Sequence, residues 1–98
     1  MKAEFHPVAS GEIIETTAYY EGEVPGLGAS FIAEVERVVE VLCDQPNMGQ
    51  KVGGEFRRIL LARFPYSLIY SIESERIWVL AVAHHRRRPG YWQERIVR

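Results

Sequence analysis

The chain has 98 residues, which is enough for one domain around a single core and too few for a separate cofactor-binding domain, so residues 1–98 are expected to form one unit. Its composition, 47% hydrophobic and 26% charged, is typical of a folded globular protein rather than of a disordered chain. The longest apolar run, residues 77–83, is far shorter than the ~20 residues that cross a membrane, and the first residues contain no signal-peptide stretch. Secretion and membrane insertion are therefore not expected.

Cysteine usage and charge bear on the compartment and the partner. Cys43 is the only cysteine, so an internal disulfide is impossible, and its place in an apolar helical pattern predicts a small packed side chain in a cytoplasmic protein. The net charge of −1 divides unevenly. Residues 1–56 carry three basic and ten acidic side chains, whereas residues 57–98 carry nine arginines and three glutamates. Two ordinary solvated surfaces would explain this asymmetry, and an anionic partner for the second half is the alternative.

The first third of the chain predicts a strand followed by two helices. A short strand over Met1–Phe5 ends before Pro7. The spacing of Ile13, Ile14, Thr17 and Tyr20 then predicts an amphipathic helix over residues 8–21. A loop rich in glycine follows, over residues 22–28.

The second helix, over residues 29–43, has the clearest pattern in the sequence. Its apolar side chains recur at spacings of three or four residues, at Leu27, Phe31, Val35, Val38 and Leu42. Two helices joined by a short loop pack antiparallel, so we expect a helical hairpin that lays one apolar stripe on a sheet.

Three strands are predicted next, over residues 55–64, 66–73 and 76–84, the last two joined by a tight turn. Residues 77–83 are apolar at every position, which is typical of a central strand covered on both faces. A short terminal helix is expected over residues 91–98. The predicted fold class is therefore α+β, with an N-terminal strand and a helical hairpin packed on a mainly antiparallel sheet.

Several chemical motifs have ordinary structural explanations. Gly26 and Gly28 follow a helix rather than a strand, which fits a helix-start loop and not a phosphate-binding loop. His84 and His85 are adjacent on a strand and point to opposite faces, so no metal site is predicted. No cofactor motif is present either. The aromatic residues Phe64, Tyr70 and Trp78 are expected in the core rather than in a base-stacking platform, and the glutamates of both helices, including Glu12 and Glu15, on a solvated face.

The segment from His84 to Trp92 concentrates the functional side chains. It carries three arginines, two histidines and a tyrosine where the last strand ends. Arginine binds phosphate through bidentate hydrogen bonds, while histidine and tyrosine can transfer protons during attack of a ribose 2′-hydroxyl on its phosphodiester. The alternative is a solubilising strand end without a binding role.

Residues 64–70 and 77–92, Phe-Pro-Tyr-Ser-Leu-Ile-Tyr and Ile-Trp-Val-Leu-Ala-Val-Ala-His-His-Arg-Arg-Arg-Pro-Gly-Tyr-Trp, together resemble the C-terminal half of toxins in the RelE/ParE superfamily. Residues 42–49 and 56–58 resemble the ParE branch in particular. The resemblance extends over nearly the whole chain: a first strand, a helical hairpin, a three-stranded meander and a short tail.

The resemblance implies a toxin of a bacterial type II toxin-antitoxin pair, neutralised by a cognate antitoxin. ParE-like members inhibit DNA gyrase, and RelE-like members cleave ribosome-bound messenger RNA without a metal. We expect the ParE type, with the endoribonuclease as the alternative and a non-toxic nucleic-acid-binding relative as a third possibility. Whether the chain is an enzyme stays open at this stage.

The RelE pattern can be carried over residue by residue. His85 falls where a catalytic arginine usually lies, Arg87 matches a nearby basic position, and Tyr91 matches the C-terminal tyrosine; these three are the candidate catalytic residues of the ribonuclease alternative. Leu60 replaces an expected lysine and Ser67 an expected arginine, which removes two cations from that site. The candidate target-binding residues are Arg57, Arg58, Arg63, Arg86 and Arg88.

Overall fold

A helical hairpin and a five-stranded sheet form the two layers of the computed structural model, which describes residues 1–96. The helices are α1 (Pro7–Glu23) and α2 (Leu27–Asp44). The strands are β1 (Lys2–Phe5), β2 (Gln50–Gly53), β3 (Phe56–Leu60), β4 (Tyr66–Glu73) and β5 (Arg76–His84). Two short 3-10 turns complete the chain, a first one over Pro46–Met48 and a C-terminal one over Tyr91–Arg95. In the described part of the chain, no helix is both long and apolar enough to cross a membrane.

The sheet order is β1-β5-β4-β3-β2. β1 pairs with β5 in parallel, and the other three pairs are antiparallel, so the α+β class and the mainly antiparallel sheet are confirmed. β5 is an interior strand, as its apolar run predicts, although β4 occupies the middle position of the five.

Local hydrogen bonds set the starts of both helices. Pro7 occupies the first turn of α1, where its missing N–H is not needed, and His6 Nδ1 accepts from Val8 N at 3.0 Å. α2 begins at Leu27, two residues earlier than predicted, after Gly26 in a left-handed conformation with φ 91°. The Glu21 carboxylate stabilises the turn between the two helices, because it accepts a hydrogen bond from the backbone N–H of Gly26 at 2.9 Å.

The main core lies between the helices and the sheet. The apolar stripe of α2 is buried there as predicted, and Phe64 and Tyr70 belong to the same core. The α1 prediction is partly wrong, because Ile13 packs on the core but Ile14 is 69% exposed. Consecutive residues of a helix are rotated by about 100° from each other, and Ile14 lies on the solvent side of that rotation while Ile13 faces the core.

β3 ends at Leu60, four residues before the predicted end. The carboxylate of Glu34 on α2 accepts the backbone N–H of Ala62 and so replaces a strand partner. Arg63 then adopts a left-handed conformation with φ 69°, and the chain turns into β4. Arg37 donates two hydrogen bonds to this buried carboxylate. These bonds lower the pKa of Glu34, although desolvation by itself would raise it. The expectation that the helix glutamates are all solvated is therefore wrong for Glu34.

The sequence pattern did not indicate the first 3-10 turn or strand β2. Both are positioned by Tyr70, whose hydroxyl donates to Pro46 O at 2.7 Å and accepts from Gly49 N at 2.9 Å. A Cβ atom on Gly49 would lie 2.6 Å from the Tyr70 hydroxyl, so only glycine fits.

A bulge in β5 builds a second apolar layer on the opposite face of the sheet. Ile69 pairs with Ala81 and Tyr70 with Val79, which leaves Leu80 as the extra residue. Leu80 and Ala81 therefore both face away from the helices, and the C-terminal 3-10 turn covers them with the ring of Trp92. This explains an apolar side chain at every position of residues 77–83.

The tail differs from the predicted helix. Residues 91–95 form a 3-10 turn rather than an α-helix, and positions 97–98 lie outside the described residues. Trp78 also differs from a full core position, because it is half-buried on the second face with the Arg76 guanidinium 4.4 Å from its ring centroid.

Candidate functional site

The chain leaves the sheet at His84 through a tightly bonded basic loop, residues 85–90. His85 N donates to Pro65 O at 2.9 Å, and Arg87 N donates to His84 O at 3.0 Å. The loop ends at Gly90, which adopts φ 77° before the C-terminal 3-10 turn. These bonds hold the three consecutive arginines of the loop outward, and all three are exposed.

His84 and His85 point to opposite faces, as predicted. The His84 ring lies 4.9 Å from the Tyr66 ring on the helix side of the sheet. His85 points to the other side, where its Nε2 lies 2.9 Å from Ser67 Oγ. Within residues 1–96, no group of three His, Cys, Asp or Glu side chains is placed to hold a metal ion.

A cavity of about 350 Å³ opens on the face of the sheet away from the helices, near the start of β4 and the end of β5. We call it the Ser67 pocket, because Ser67 forms its floor opposite Ala83 in the strand register. The polar and cationic side chains around it include Arg58, His85, Arg88 and Tyr91, and the apolar ones include Val52, Ile69 and Trp92.

The structure brings together only part of the proposed set of arginines. Arg58 and Arg88 line the Ser67 pocket, whereas Arg86 does not. Arg57 faces the helix side instead, where its guanidinium donates to Asn47 O at 3.2 Å and to Gly49 O at 2.8 Å. Arg63 lies in the turn after β3, 5.9 Å from the Phe64 ring. Arg57 thus has a role in anchoring the first 3-10 turn.

Tyr91 contributes its ring to the Ser67 pocket, but its hydroxyl is used elsewhere. The hydroxyl donates to Glu12 Oε2 at 2.6 Å, and the Arg87 guanidinium lies 3.8 Å from the Tyr91 ring centroid. Arg95 Nη2 reaches the same carboxylate oxygen at 2.7 Å. Burial, and then the hydrogen bond to Glu12, raise the pKa of Tyr91 to about 12.

Glu12 and Arg95 also form hydrogen bonds with the backbone of β5 where that strand has no neighbour. β1 ends at Phe5, so the backbone of β5 beyond Val79 has no neighbouring strand on that side. Glu12 Oε1 accepts from Val82 N at 2.9 Å, and Arg95 Nη1 donates to Leu80 O at 3.0 Å. The expected solvated position of Glu12 is therefore wrong.

Sequence reasoning missed Glu12 and Arg95 as partners and treated Ser67 only as a lost cation. No local signal identifies the first two, since 83 positions separate them. Ser67 had one available signal: it is a small polar residue between apolar positions on β4, the strand before the one that ends at the histidine pair.

A family model described as "ParE toxin of type II toxin-antitoxin system, parDE" matches residues 3–89 of the chain. Among solved structures, the fold is similar to one titled "Chromosomal ParDE TA system from P. aeruginosa", with a TM-score of 0.75 and 17% sequence identity. That match covers 86% of this chain and 95% of the other. No curated protein matches this sequence significantly.

Proposed function

The chain belongs to the ParE toxin family of type II toxin-antitoxin systems, and from that membership we propose that it arrests bacterial growth by inhibiting DNA gyrase and that a cognate antitoxin neutralises it. The position of the Tyr91 hydroxyl is the observation that favours this mechanism over messenger RNA cleavage. In the ribonuclease alternative, His85, Arg87 and Tyr91 would act together on one phosphodiester.

The Tyr91 hydroxyl is poorly suited to proton transfer. It already donates to Glu12, on the side of β5 away from the Ser67–His85 pair. With a pKa of about 12, the phenol stays protonated near neutral pH and cannot act as a general base. Arg87 packs on its ring. Two of the three candidate catalytic residues thus have structural partners, which supports a toxin that acts by binding.

The basic loop provides a surface for such binding. Arg86, Arg87 and Arg88 are exposed side by side where β5 ends. Within residues 1–96, none of them forms a salt bridge. Their charges remain available to an acidic or nucleic-acid-bound target such as a gyrase-DNA complex.

The antitoxin is proposed to cover the outer face of α1. Ile14 is 69% and Tyr19 61% exposed, and Val8 is also exposed on the same helix. These exposed apolar side chains are spread around the outward surface of α1 rather than aligned on one stripe, and we take that surface as the candidate interaction site. Val8 lies beside Arg87 and Arg88, so this surface adjoins the basic loop at the start of α1.

Ribosome-dependent cleavage remains the second candidate because His85, unlike Arg87 and Tyr91, is placed where it could act on a substrate. Its imidazole is hydrogen-bonded to Ser67 and shares a pocket with Arg58 and Arg88, which is a minimal arrangement for acting on a phosphodiester. A relative that binds nucleic acid without toxicity is the remaining alternative.

The two mechanisms are separated by assaying purified protein in parallel for gyrase supercoiling and for cleavage of ribosome-bound message. We expect loss of supercoiling and an intact message. His85→Ala should leave supercoiling inhibition unchanged, because gyrase inhibition needs no proton transfer. Cleaved message, lost in His85→Ala, together with unaffected gyrase would replace this proposal by the ribonuclease. Growth that continues during strong soluble expression would contradict both.

A further inference from the structure

The Ser67 pocket has a lining suited to a specific class of small ligand. The proposed inhibition of gyrase does not require this pocket. Its volume of about 350 Å³ lies within the range of small-molecule sites and well above that of a single bound water. The cavity is open to solvent at the edge of the sheet and is enclosed below by the strands and on one side by the C-terminal 3-10 turn.

The charged side chains that line the pocket are all basic. Arg58 and Arg88 line it together with His85, and no aspartate or glutamate is found among the described lining residues. Within residues 1–96, neither arginine forms a salt bridge, in contrast to Arg37 and Arg76. The closest polar contact of Arg58 is a long hydrogen bond of 3.4 Å to Gln50 Oε1. Two unneutralised guanidinium groups favour an anion with several oxygens.

The floor of the pocket supplies a fixed polar group. Ser67 is 2% exposed, and its hydroxyl is held 2.9 Å from His85 Nε2. When the imidazole nitrogen donates to Ser67 Oγ, the hydroxyl proton of Ser67 is free to donate to a ligand oxygen. Because the strand backbone and the histidine fix this group, its ordering requires little further loss of entropy on binding.

The lining also contains apolar side chains. They are Val52, Ile69, Pro89 and Trp92, and Ile69 is the cross-strand partner of Arg58, so apolar and cationic groups lie next to each other. An inorganic anion would leave the apolar side chains unused, whereas a flat ring next to the anionic group would cover them. We propose that the Ser67 pocket binds the phosphomonoester of a nucleotide, with the phosphate between Arg58, Arg88 and the Ser67–His85 pair and the nucleoside against the apolar side chains.

This inference goes beyond the proposed function and can fail or hold independently of it. The phosphomonoester could belong to a free nucleotide or to the phosphorylated end of a nucleic acid. The proposed step is binding, and no bond is broken or formed in it.

The test is calorimetric titration of the intact protein with inorganic phosphate, uridine, uridine 5′-monophosphate and a short oligonucleotide with and without a 5′-phosphate. We expect the monophosphate to bind about tenfold more tightly than either uridine or phosphate, since it contacts both the basic and the apolar side chains. The 5′-phosphorylated oligonucleotide should exceed its unphosphorylated form by a similar factor. Tighter binding of that oligonucleotide than of the monophosphate identifies a nucleic-acid end, and equal binding identifies a free nucleotide.

Variants distinguish the pocket from general charge attraction. Arg58→Ala and Ser67→Ala should each weaken binding of the monophosphate by about tenfold, because each removes a hydrogen bond to a charged group. Arg86→Ala is the matched control, an exposed arginine of the same loop that does not line the pocket, and should leave the affinity unchanged. Equal losses in all three variants, equal affinity for phosphate and monophosphate, or no saturable binding by folded wild-type protein would each overturn the proposal.

Discussion

Arg95 donates two hydrogen bonds to the carboxylate of Glu12, at 2.9 and 2.7 Å, across 83 positions of sequence. Both side chains are largely buried, with 12% and 14% of their surface exposed. The pair joins α1 to the C-terminal 3-10 turn and satisfies the backbone of β5 at Val82 and Leu80. The tail that covers the second face of the sheet is therefore attached to the molecule by this ion pair and by Tyr91.

The first prediction concerns Glu12→Gln, which leaves the Arg95 guanidinium without a counter-charge. Removing one partner of a buried pair lowers the free energy of unfolding by roughly 3–5 kcal/mol, and we expect the lower end here because the pair is not fully enclosed. The measurement is urea denaturation at pH 7. Glu15→Gln, an exposed position on the same helix, is the control and should change little.

The same pair gives the second prediction, a pH dependence. Burial alone would raise the pKa of Glu12, but the hydrogen bonds from Arg95, Tyr91 and Val82 outweigh it and leave the pKa below its ordinary value of 4.5. A lowered carboxyl pKa stabilises the fold above the ordinary value and loses that contribution as the pH falls through the lowered one. The stability difference between wild type and Glu12→Gln should thus shrink below about pH 4.5. A difference that is constant from pH 7 to pH 3 would contradict it.

The third prediction compares two glycines in opposite environments. Gly49→Ala places a Cβ 2.6 Å from the Tyr70 hydroxyl and should destabilise by about 1–3 kcal/mol, as overpacked sites do. Gly11→Ala, in α1, meets no atom within 4 Å and should stabilise by about 0.5–1 kcal/mol through helix propensity. Thermal denaturation of both variants checks the signs. A Gly49→Ala variant as stable as the wild type would show that the Gly49–Tyr70 contact is not limiting, and a destabilised Gly11→Ala would contradict the helix-propensity argument.

The fourth prediction tests the proposed antitoxin surface on α1. Ile14→Lys should keep growth inhibition but reduce rescue by the co-expressed antitoxin, because it places a charge in an apolar interface. Asn47→Lys, which adds the same charge at an exposed site on the first 3-10 turn, is the control. Full rescue of Ile14→Lys would move the antitoxin surface elsewhere.

Most of the fold could be predicted because its signals are periodic and local. The stripe of α2, the alternation in β4 and the apolar run of β5 each identify an element without knowledge of its partners. β2 gave no such signal: all four of its residues are exposed, and its pairing depends on the contact between Gly49 and Tyr70.

The candidate site was only partly predictable for a related reason. The sequence placed His85 and the arginines near one another because they are adjacent in the chain. The face to which each side chain points depends on strand register and on the bulge at Leu80, and hydrogen bonds to distant residues decide which side chains are available. The RelE resemblance assigned Tyr91 a catalytic position, yet its hydroxyl donates to Glu12, and Arg57 is bonded to the first 3-10 turn.

The last prediction uses Tyr91→Phe, because this change removes one hydroxyl and keeps the ring that packs against Arg87 and lines the Ser67 pocket. The hydroxyl donates to a carboxylate, and loss of such a bond costs about 1.5–3 kcal/mol of stability at neutral pH. Since the pKa of Tyr91 is raised to about 12, its contribution is complete below the ordinary phenol value near 10 and is lost as the pH rises through 12. Denaturation at pH 7 and a spectroscopic titration of the phenols measure these two effects.

Assays of growth arrest, supercoiling and message cleavage distinguish a structural role of Tyr91 from a catalytic one. With soluble expression equalised, Tyr91→Phe should still arrest growth and inhibit supercoiling, because a binding toxin needs only the shape and charge around this ring. Tyr19→Phe is the control, since Tyr19 is 61% exposed and its hydroxyl should contribute little to stability. A fall of ~100-fold or more in message cleavage by folded Tyr91→Phe would instead be the loss expected of a proton-transferring group, and the ribonuclease would then be the better account.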